Sequence, residues 1–320
     1  MKKGNGIKFI LIILLFLAGV LASLFLGGTG EMNEYIFSAI RIPKTITAII
    51  AGCTLSIAGL ILQVIFRNPL AGPYVLGISS GASLLVALTI IGTQSIFLID
   101  GYYASKGLIL LSSLIGSMAV TGLILLLSKR IGSNVILLLI GLMIAQICGA
   151  LQGALEYFAD PGKLKSFVMW SMGSLAGTTL KDSFLLTALG FAFITLTFFY
   201  IKPLQAFLAG QNYSESSGID YKKNRFALIF ISSALTGITT AFCGPIAFVG
   251  ISVPLLSRII FKTSDQLTQI VSSILLGAIL LLFSDMACHV FSQYTLPVNM
   301  ITTIIGAPFV IYLLFKNRQL

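Results

Sequence analysis

The chain has 320 residues, of which 57% are hydrophobic and only 9% are charged, and its formal net charge is +10. A soluble domain carries roughly 25% charged residues, so this composition excludes a globule whose whole surface faces water. The positive charge does not indicate nucleic-acid binding, because the basic residues lie between apolar runs and form no patch interleaved with aromatic residues. A bilayer core contains no water to hydrogen-bond the backbone, and the long unbroken apolar runs predict helices rather than a barrel.

Ten apolar segments predict an all-α integral membrane protein with about ten transmembrane helices in a single domain, residues 1–320. The segments are 9–26, 46–66, 74–91, 107–128, 135–155, 184–201, 226–242, 246–261, 270–291 and 298–315. Most approach the roughly 20 residues that cross about 30 Å of hydrocarbon. The first is longer than the apolar core of a signal peptide, so we expect it to be a transmembrane helix. The eighth is short and follows Gly244-Pro245, so a broken or re-entrant segment is the alternative there.

The distribution of basic residues predicts the orientation. With the N-terminus in the cytoplasm, fourteen of the 20 basic residues fall on the inner side of a ten-span chain and six on the outer side. Cytoplasmic loops of membrane proteins carry this excess of Lys and Arg. We therefore expect a multi-pass protein of the cytoplasmic (inner) membrane with both termini in the cytoplasm.

Small residues recur at a spacing of four within several segments, which favours close packing of helices in lipid. They are Gly52 and Ser56; Ser113, Ser117 and Thr121; and Ala145, Gly149 and Gly153. An alternative is that some of these faces line a conduit. A weak internal similarity joins GPYVLGIS at 72–79 to GPIAFVGIS at 244–252, as expected where a transporter is built from repeats.

Two strongly ionisable residues, Asp285 and His289, lie inside a predicted span far from its ends, one helical turn apart. A mutually satisfied polar pair is one interpretation, and a proton relay or a metal site is the other. One Asp and one His are too few ligands for a metal, and the four cysteines have no metal-binding spacing. The chain also lacks the phosphate-cradling GxxxxGK[ST] motif, so we expect no catalytic residue, no cofactor and no ATP hydrolysis here.

Several motifs, in this order, resemble the iron-siderophore, haem and vitamin B12 permease family of ABC importers. They are RIPKT at 41–45, QVIFRNPLAGP at 63–73, LGISSGA at 76–82, WSMGSL at 170–175, GID at 218–220, GPIAFVG at 244–250, LP at 296–297 and IGAPF at 305–309. The similarity extends from Arg41 to the C-terminus. The chain departs from the family where Leu255, rather than the frequent His, follows Val253-Pro254.

The resemblance implies the permease of a type II ABC importer in the membrane lipid. Its partners would be a second permease subunit, expected to form a homodimer, two cytoplasmic ATP-binding subunits and an extracytoplasmic substrate-binding protein. The expected cargo is an iron chelate of the siderophore class, with haem or cobalamin as alternatives. A proton-coupled secondary transporter that uses Asp285 and His289 is a different class of hypothesis. A membrane scaffold or enzyme is another, for which the sequence offers no chemical constellation.

The resemblance also implies roles for particular residues. Arg41 and Lys44 at the outer mouth would meet acidic residues of the binding protein and steer its docking, unless they are interfacial anchors. The longest inner loop, 202–225, is predicted to contain a short helix at about 211–217 followed by a turn at Gly218. The ATPase coupling loop would be formed by Gly210, Gln211, Ser214, Ser216, Gly218, Ile219 and Asp220, and a plain polar connector is the alternative. Candidates for an inner gate are Asn68, Pro69, Ser79, Ser80, Ser133 and Asn134.

Overall fold

The computed structural model describes residues 3–25, 34–95, 106–128, 134–289 and 296–316, and every regular element in these ranges is a helix. The helices are α1 (Lys3–Phe25), α2 (Glu34–Ile36), a π-helical turn (Phe37–Arg41), α3 (Ile42–Phe66), α4 (Ile78–Ser95), α5 (Lys106–Ser128), α6 (Asn134–Tyr157), α7 (Pro161–Ser171), α8 (Leu180–Phe199), α9 (Ile201–Ala209), α10 (Gln211–Ser216), α11 (Tyr221–Cys243), α12 (Val249–Phe261), α13 (Gln266–Ala287) and α14 (Val298–Lys316). The prediction of an all-α membrane fold is confirmed.

Each of the ten predicted spans overlaps a helix, but the helices differ in length. Within the described residues, seven helices are long and apolar enough to cross a membrane by length and composition, and α4, α12 and α14 are shorter apolar helices. The short eighth span begins at Val249 rather than at 246, because Phe248 adopts a left-handed conformation with φ of 66°. The third begins at Ile78 rather than at 74, after Gly77 with φ of 73°.

Helix α3 forms the centre of the bundle. In the continuous helix Glu34–Phe66, 89% of the most hydrophobic 18-residue stretch is buried inside the chain. Glycines allow its backbone to approach α13 and α12 closely. A Cβ at Gly52 would lie 2.2 Å from the carbonyl oxygen of Gly277, and a Cβ at Gly59 would lie 1.7 Å from that of Gly250. The packing role predicted for Gly52 is therefore confirmed, because any side chain would separate the helices.

The small-residue face of α5 packs against α11 through hydroxyl groups. Ser113 Oγ donates a hydrogen bond of 2.7 Å to the carbonyl oxygen of Gly237, and the hydroxyls of Thr121 and Ser233 bond to each other. The small residues of α6 differ, because a Cβ at Gly149 or Gly153 would meet no atom within 4 Å. The predicted packing thus holds within the chain for α3 and α5, whereas these two glycines of α6 face outwards.

The two similar Gly-Pro segments meet inside the bundle, each just before one of the short helices. A Cβ at Gly72 would lie 2.7 Å from Cγ1 of Ile251, and a Cβ at Gly250 would lie 3.0 Å from Cδ of Pro73. Gln63 secures this junction, since its Nε2 donates to the carbonyl oxygen of Ile251 at 3.1 Å. Irregular backbone inside a membrane protein is stable where protein groups satisfy it, and this junction supplies them.

Candidate functional site

A buried ion pair joins α3 to α13 at the end of the bundle that the charge distribution places outside, here called the predicted outer end. Lys44 Nζ lies 2.9 Å from Oδ2 of Asp285, and both side chains are only 3% exposed. Each charge is thereby neutralised by a partner from another helix. The carboxylate of Asp285 therefore links α13 to α3 at this end of the bundle.

Arg41 is buried at the same end and closes the end of α1. Its Nη1 donates hydrogen bonds of 2.8 Å and 3.1 Å to the carbonyl oxygens of Leu24 and Phe25, which have no partner in their own helix. The π-helical turn Phe37–Arg41 precedes α3 and ends at this arginine. Arg41 and Lys44 are each only 3% exposed within this chain, and the docking role predicted for them stays a prediction.

His289 does not pair with the side chain of Asp285, and that prediction is also corrected. Its Nδ1 lies 2.8 Å from the backbone carbonyl oxygen of Asp285. A carbonyl oxygen can only accept, so Nδ1 carries the hydrogen, and the lone pair of the neutral ring is on Nε2. The carboxylate is occupied by Lys44 instead.

Two cavities border α7 at the predicted outer end. One, of about 370 Å³, is lined by residues that include Met169, Met172, Asp285, Cys288, His289 and Met300. The other, of about 340 Å³, is lined by residues that include Trp170 and Asp182. Met169 and Ser174 contribute to both, so α7 and the segment after it separate the two cavities.

At the opposite end, called the predicted inner end, residues 210–220 form a compact knob between α9 and α11. Helix α10 ends in a Schellman motif: the amide of Ile219 donates to the carbonyl oxygen of Ser214 at 3.0 Å, and that of Gly218 to Glu215 at 3.1 Å. Gly218 has φ of 77° and Gly210 has φ of 108°. The predicted short helix with a turn at Gly218 is confirmed.

The knob has one anchored side and one exposed side. Ser214 is fully buried, and its Oγ donates to the carbonyl oxygen of Gly210 at 2.9 Å. Gln211, Ser216 and Gly218 are exposed. Asp220 caps α11, because its Oδ1 accepts a hydrogen bond of 2.9 Å from the amide of Lys223. The geometry therefore presents a short, rigid helix to the predicted cytoplasmic side.

Of the gate candidates, Asn68 and Pro69 lie half-buried in the turn after α3, where Asn68 Oδ1 accepts from the amide of Leu70 at 2.8 Å. Ser79 is buried in the first turn of α4. The carbonyl oxygen of Ser80 accepts a hydrogen bond of 3.1 Å from Gln152 Nε2 on α6. Asn134 begins α6, and Ser133 lies outside the described residues.

A model of the FecCD transport family matches residues 8–316. The chain belongs to this family. It is 32% identical over 293 residues to the hemin transport system permease protein HmuU of Yersinia pestis, in an alignment that covers 91% of this chain and 86% of that protein. It is 34% identical over 287 residues to a probable iron chelatin transport system permease protein of Helicobacter pylori strain 26695, with coverage of 88% and 83%.

A solved structure supports the same assignment. An inward-facing ABC transporter assigned to the metal-chelate type matches with a TM-score of 0.84 and 26% identity, over 95% of this chain and 97% of that one. The predicted resemblance is therefore confirmed, together with the fold of a type II ABC importer permease. The relatives named above are themselves permease subunits.

Sequence reasoning missed one contact of the FecCD permease knob. A Cβ built on Gly210 would lie 3.2 Å from Nη1 of Arg67, the residue that ends α3 in a left-handed conformation. The guanidinium of Arg67 therefore lies beside the start of the knob. No local signal in the sequence points to this contact, because Arg67 and Gly210 come together only through the packing of α3 against α9.

Proposed function

We propose that this FecCD permease carries a metal chelate through the cytoplasmic membrane as one of two identical permease subunits. Two separate ATP-binding subunits would supply the energy, and an extracytoplasmic binding protein would deliver the cargo. The observation that carries this proposal is the folded knob at 210–220. The chain has no phosphate-cradling motif, so the work of ATP hydrolysis would reach it from the ATP-binding subunits. That work needs a folded contact surface on the permease, and the knob offers one.

The exposed face of α6 supports a second permease subunit. A Cβ at Gly149 or Gly153 would meet no atom of the described residues outside its own helix within 4 Å, although small residues in membrane helices usually mark close helix contacts. Leu142, two turns before Gly149 on the same face of α6, is 40% exposed. A second copy packed against this face would bury these residues and would leave a path between the two subunits.

The coupling route begins at the knob and continues to the turn after α3. The side chain of Arg67, which directly precedes Asn68 and Pro69, would transmit movement of Gly210 to that turn. That turn continues into Gly72 and Pro73, which contact the start of α12. The knob is therefore mechanically connected to the irregular backbone inside the bundle, where a gate can open without breaking a long helix.

The test compares Gly218→Val with Gly218→Asn in the complete transporter. A Cβ at Gly218 meets no atom within 4 Å, so the substitution adds strain at a positive φ and no steric clash. A left-handed conformation costs an ordinary residue about 1–2 kcal/mol, a β-branched residue tolerates it least, and Asn tolerates it best. We expect Gly218→Val to assemble in the membrane but to reduce the ATPase stimulation given by loaded binding protein, whereas Gly218→Asn should retain most of it.

A second arm replaces Arg67 by Ala, which removes the contact with the knob but leaves the knob folded. We expect this variant to keep its ATPase subunits and to lose stimulation. The measurement is ATP hydrolysis by reconstituted complexes with and without the binding protein. Normal stimulation in both Gly218→Val and Arg67→Ala would show that the knob does not couple hydrolysis to transport.

A further inference from the structure

A cavity of about 710 Å³ lies at the predicted inner end, between the first turns of α1 and the turn that joins α12 to α13. Its volume is within the range of small-molecule pockets. One wall is apolar and is formed by Phe9, Phe261, Leu267 and Val271. The rest of the lining includes the charged residues Lys262 and Asp265. The cavity therefore suits an amphipathic ligand, with polar contacts for one part and apolar contacts for the other.

Lys262 and Asp265 bring opposite charges to this cavity, and among the described residues no ion pair joins them. Asp265 instead caps α13, because its Oδ2 accepts a hydrogen bond of 2.6 Å from the hydroxyl of Thr268 and one of 2.9 Å from the amide of Thr268. These hydrogen bonds hold the pKa of Asp265 below its usual value, so the carboxylate is charged at neutral pH. A carboxylate offers about four acceptor positions, so this group can accept further hydrogen bonds.

The backbone at Lys262 is strained and its side chain is exposed. Lys262 ends α12 with φ of 48°, a left-handed conformation that glycine adopts at lower cost. A lysine at a position where the backbone favours glycine indicates that the side chain has a role. The nearby Lys8 is engaged elsewhere, since its Nζ donates a hydrogen bond of 2.7 Å to the carbonyl oxygen of Ile260. The charged lining of the cavity thus consists of one cation and one anion.

The cavity lies beside the helix of the bundle that is most open to lipid. Of the seven long apolar helices in the described residues, α1 is the least covered, with 17% of its most hydrophobic 18-residue stretch buried. Ile10 and Leu14 of α1 are 60% and 57% exposed, and Leu267 of the cavity wall is 48% exposed. At the predicted inner end this surface meets the headgroup region of the cytoplasmic leaflet. A membrane lipid therefore reaches the cavity directly.

We propose that this cavity binds a phospholipid whose headgroup carries both a phosphate and a primary ammonium group, as in phosphatidylethanolamine. Lys262 donates to the phosphate and Asp265 accepts from the ammonium group, so each charge meets one of the opposite sign. The acyl chains run along Leu267 and Val271, which lie one turn apart on α13. A purely anionic headgroup has no cation for Asp265, and a choline group has no N–H to donate. The bound lipid joins the start of α1 to the turn before α13.

The test uses the complex of permease and ATPase subunits, stripped of lipid in detergent and titrated with phospholipids that share the same acyl chains. The headgroups compared are ethanolamine, choline and glycerol, and native mass spectrometry counts the bound molecules. A water-soluble carbodiimide then joins a bound ethanolamine headgroup to a nearby carboxylate through an amide bond, which peptide mass spectrometry locates. We expect the ethanolamine lipid to bind about tenfold more tightly than the other two. We expect its amide bond at Asp265.

Two variants separate binding from folding. Lys262→Gly removes the cation and also relieves the left-handed backbone, so it should unfold at or above the temperature of the wild type. It should nevertheless bind the ethanolamine lipid about tenfold more weakly. Asp265→Asn keeps the helix cap, because Asn caps helices as well as Asp does. It should lose the amide bond and the preference for ethanolamine over choline. Lys222→Gln, at an exposed lysine of α11 outside the cavity, is the control that should change neither.

Several results would overturn the inference. The first is equal binding of the three lipids, or wild-type affinity for the ethanolamine lipid in Lys262→Gly. Tightest binding of the glycerol headgroup would show that the cavity selects an anionic lipid instead. Equal binding of glycerophosphoethanolamine, which has the same headgroup without acyl chains, would identify a water-soluble phosphate ester as the ligand. Carbodiimide coupling at Asp265 that occurs only after removal of the ATPase subunits would assign this surface to those subunits.

Discussion

The ion pair between Lys44 and Asp285 predicts an unusual pattern of stability. At an effective dielectric constant of about 20, two unit charges 2.9 Å apart attract each other by about 6 kcal/mol. Most of this attraction offsets the desolvation of both groups, so the pair itself contributes little net stability. Removal of one partner is different, because the other charge stays buried without compensation, which costs about 3–5 kcal/mol.

We therefore expect Asp285→Asn and Lys44→Met each to lower the unfolding temperature by about 6–10 °C, at roughly 2 °C per kcal/mol. The double variant Lys44→Met with Asp285→Leu should recover most of the loss, because it removes both charges and fills the space with apolar atoms. Lys106→Met is the matched control. Its ion pair with Asp182 leaves the lysine 58% exposed, and such pairs contribute less than about 1 kcal/mol.

A fluorogenic maleimide provides the assay, since all four cysteines are free and buried and react only when the bundle opens. Thermal ramps of the wild type, the two single variants, the double variant and the control give the coupling energy directly. The reasoning fails if the double variant loses as much stability as the two single variants together. It also fails if Asp285→Asn unfolds at the temperature of the wild type.

Two further predictions concern topology and packing. In a cysteine-free background, a cysteine introduced at the exposed Ala176 should react with membrane-impermeant reagents from outside. Cysteines introduced at the exposed Ser216 and Ser264 should react only from inside. External labelling at Ser216 would exclude the proposed orientation. Gly52→Ala should destabilise the isolated chain by about 1–3 kcal/mol, because its Cβ would lie 2.2 Å from a backbone oxygen of α13. Gly149→Leu should leave the isolated chain intact but block pairing of two permease subunits, and normal assembly of that variant, measured by mass in detergent, would place the subunit interface elsewhere.

Much of the fold was predictable because it depends on local properties of the chain. The length of each apolar run predicts a helix that can cross or enter the bilayer. Gly218 ends α10 because its backbone adopts a positive φ. The boundaries of α4 and α12 were less predictable. Apolar residues continue through 74–77 and 246–248, so hydropathy does not mark the turns that precede these helices, and only the backbone at Gly77 and Phe248 reveals them.

The candidate site depended more on contacts between helices than on motifs. The sequence offered Asp285 and His289 as a pair because they lie one turn apart, but the structure gives the carboxylate to Lys44 and the imidazole to a backbone carbonyl. The guanidinium of Arg41, which the sequence offered as a docking residue, also closes the end of α1. In each case a partner distant in the sequence or a backbone carbonyl satisfies the polar group, and neither is visible in the spacing of the residues.

The sequence by itself determined that the chain is a helical membrane protein and to which family its motifs belong. Its basic loops also predict the orientation of the chain in the membrane. The tertiary structure alone decided which faces meet: Gly52 against Gly277, Lys44 with Asp285, and Arg67 beside Gly210. The physical reason is that lipid and the protein interior are both apolar. Hydrophobic periodicity, which distinguishes the buried face of a helix in water, therefore carries little information about which face of a membrane helix packs against its neighbours.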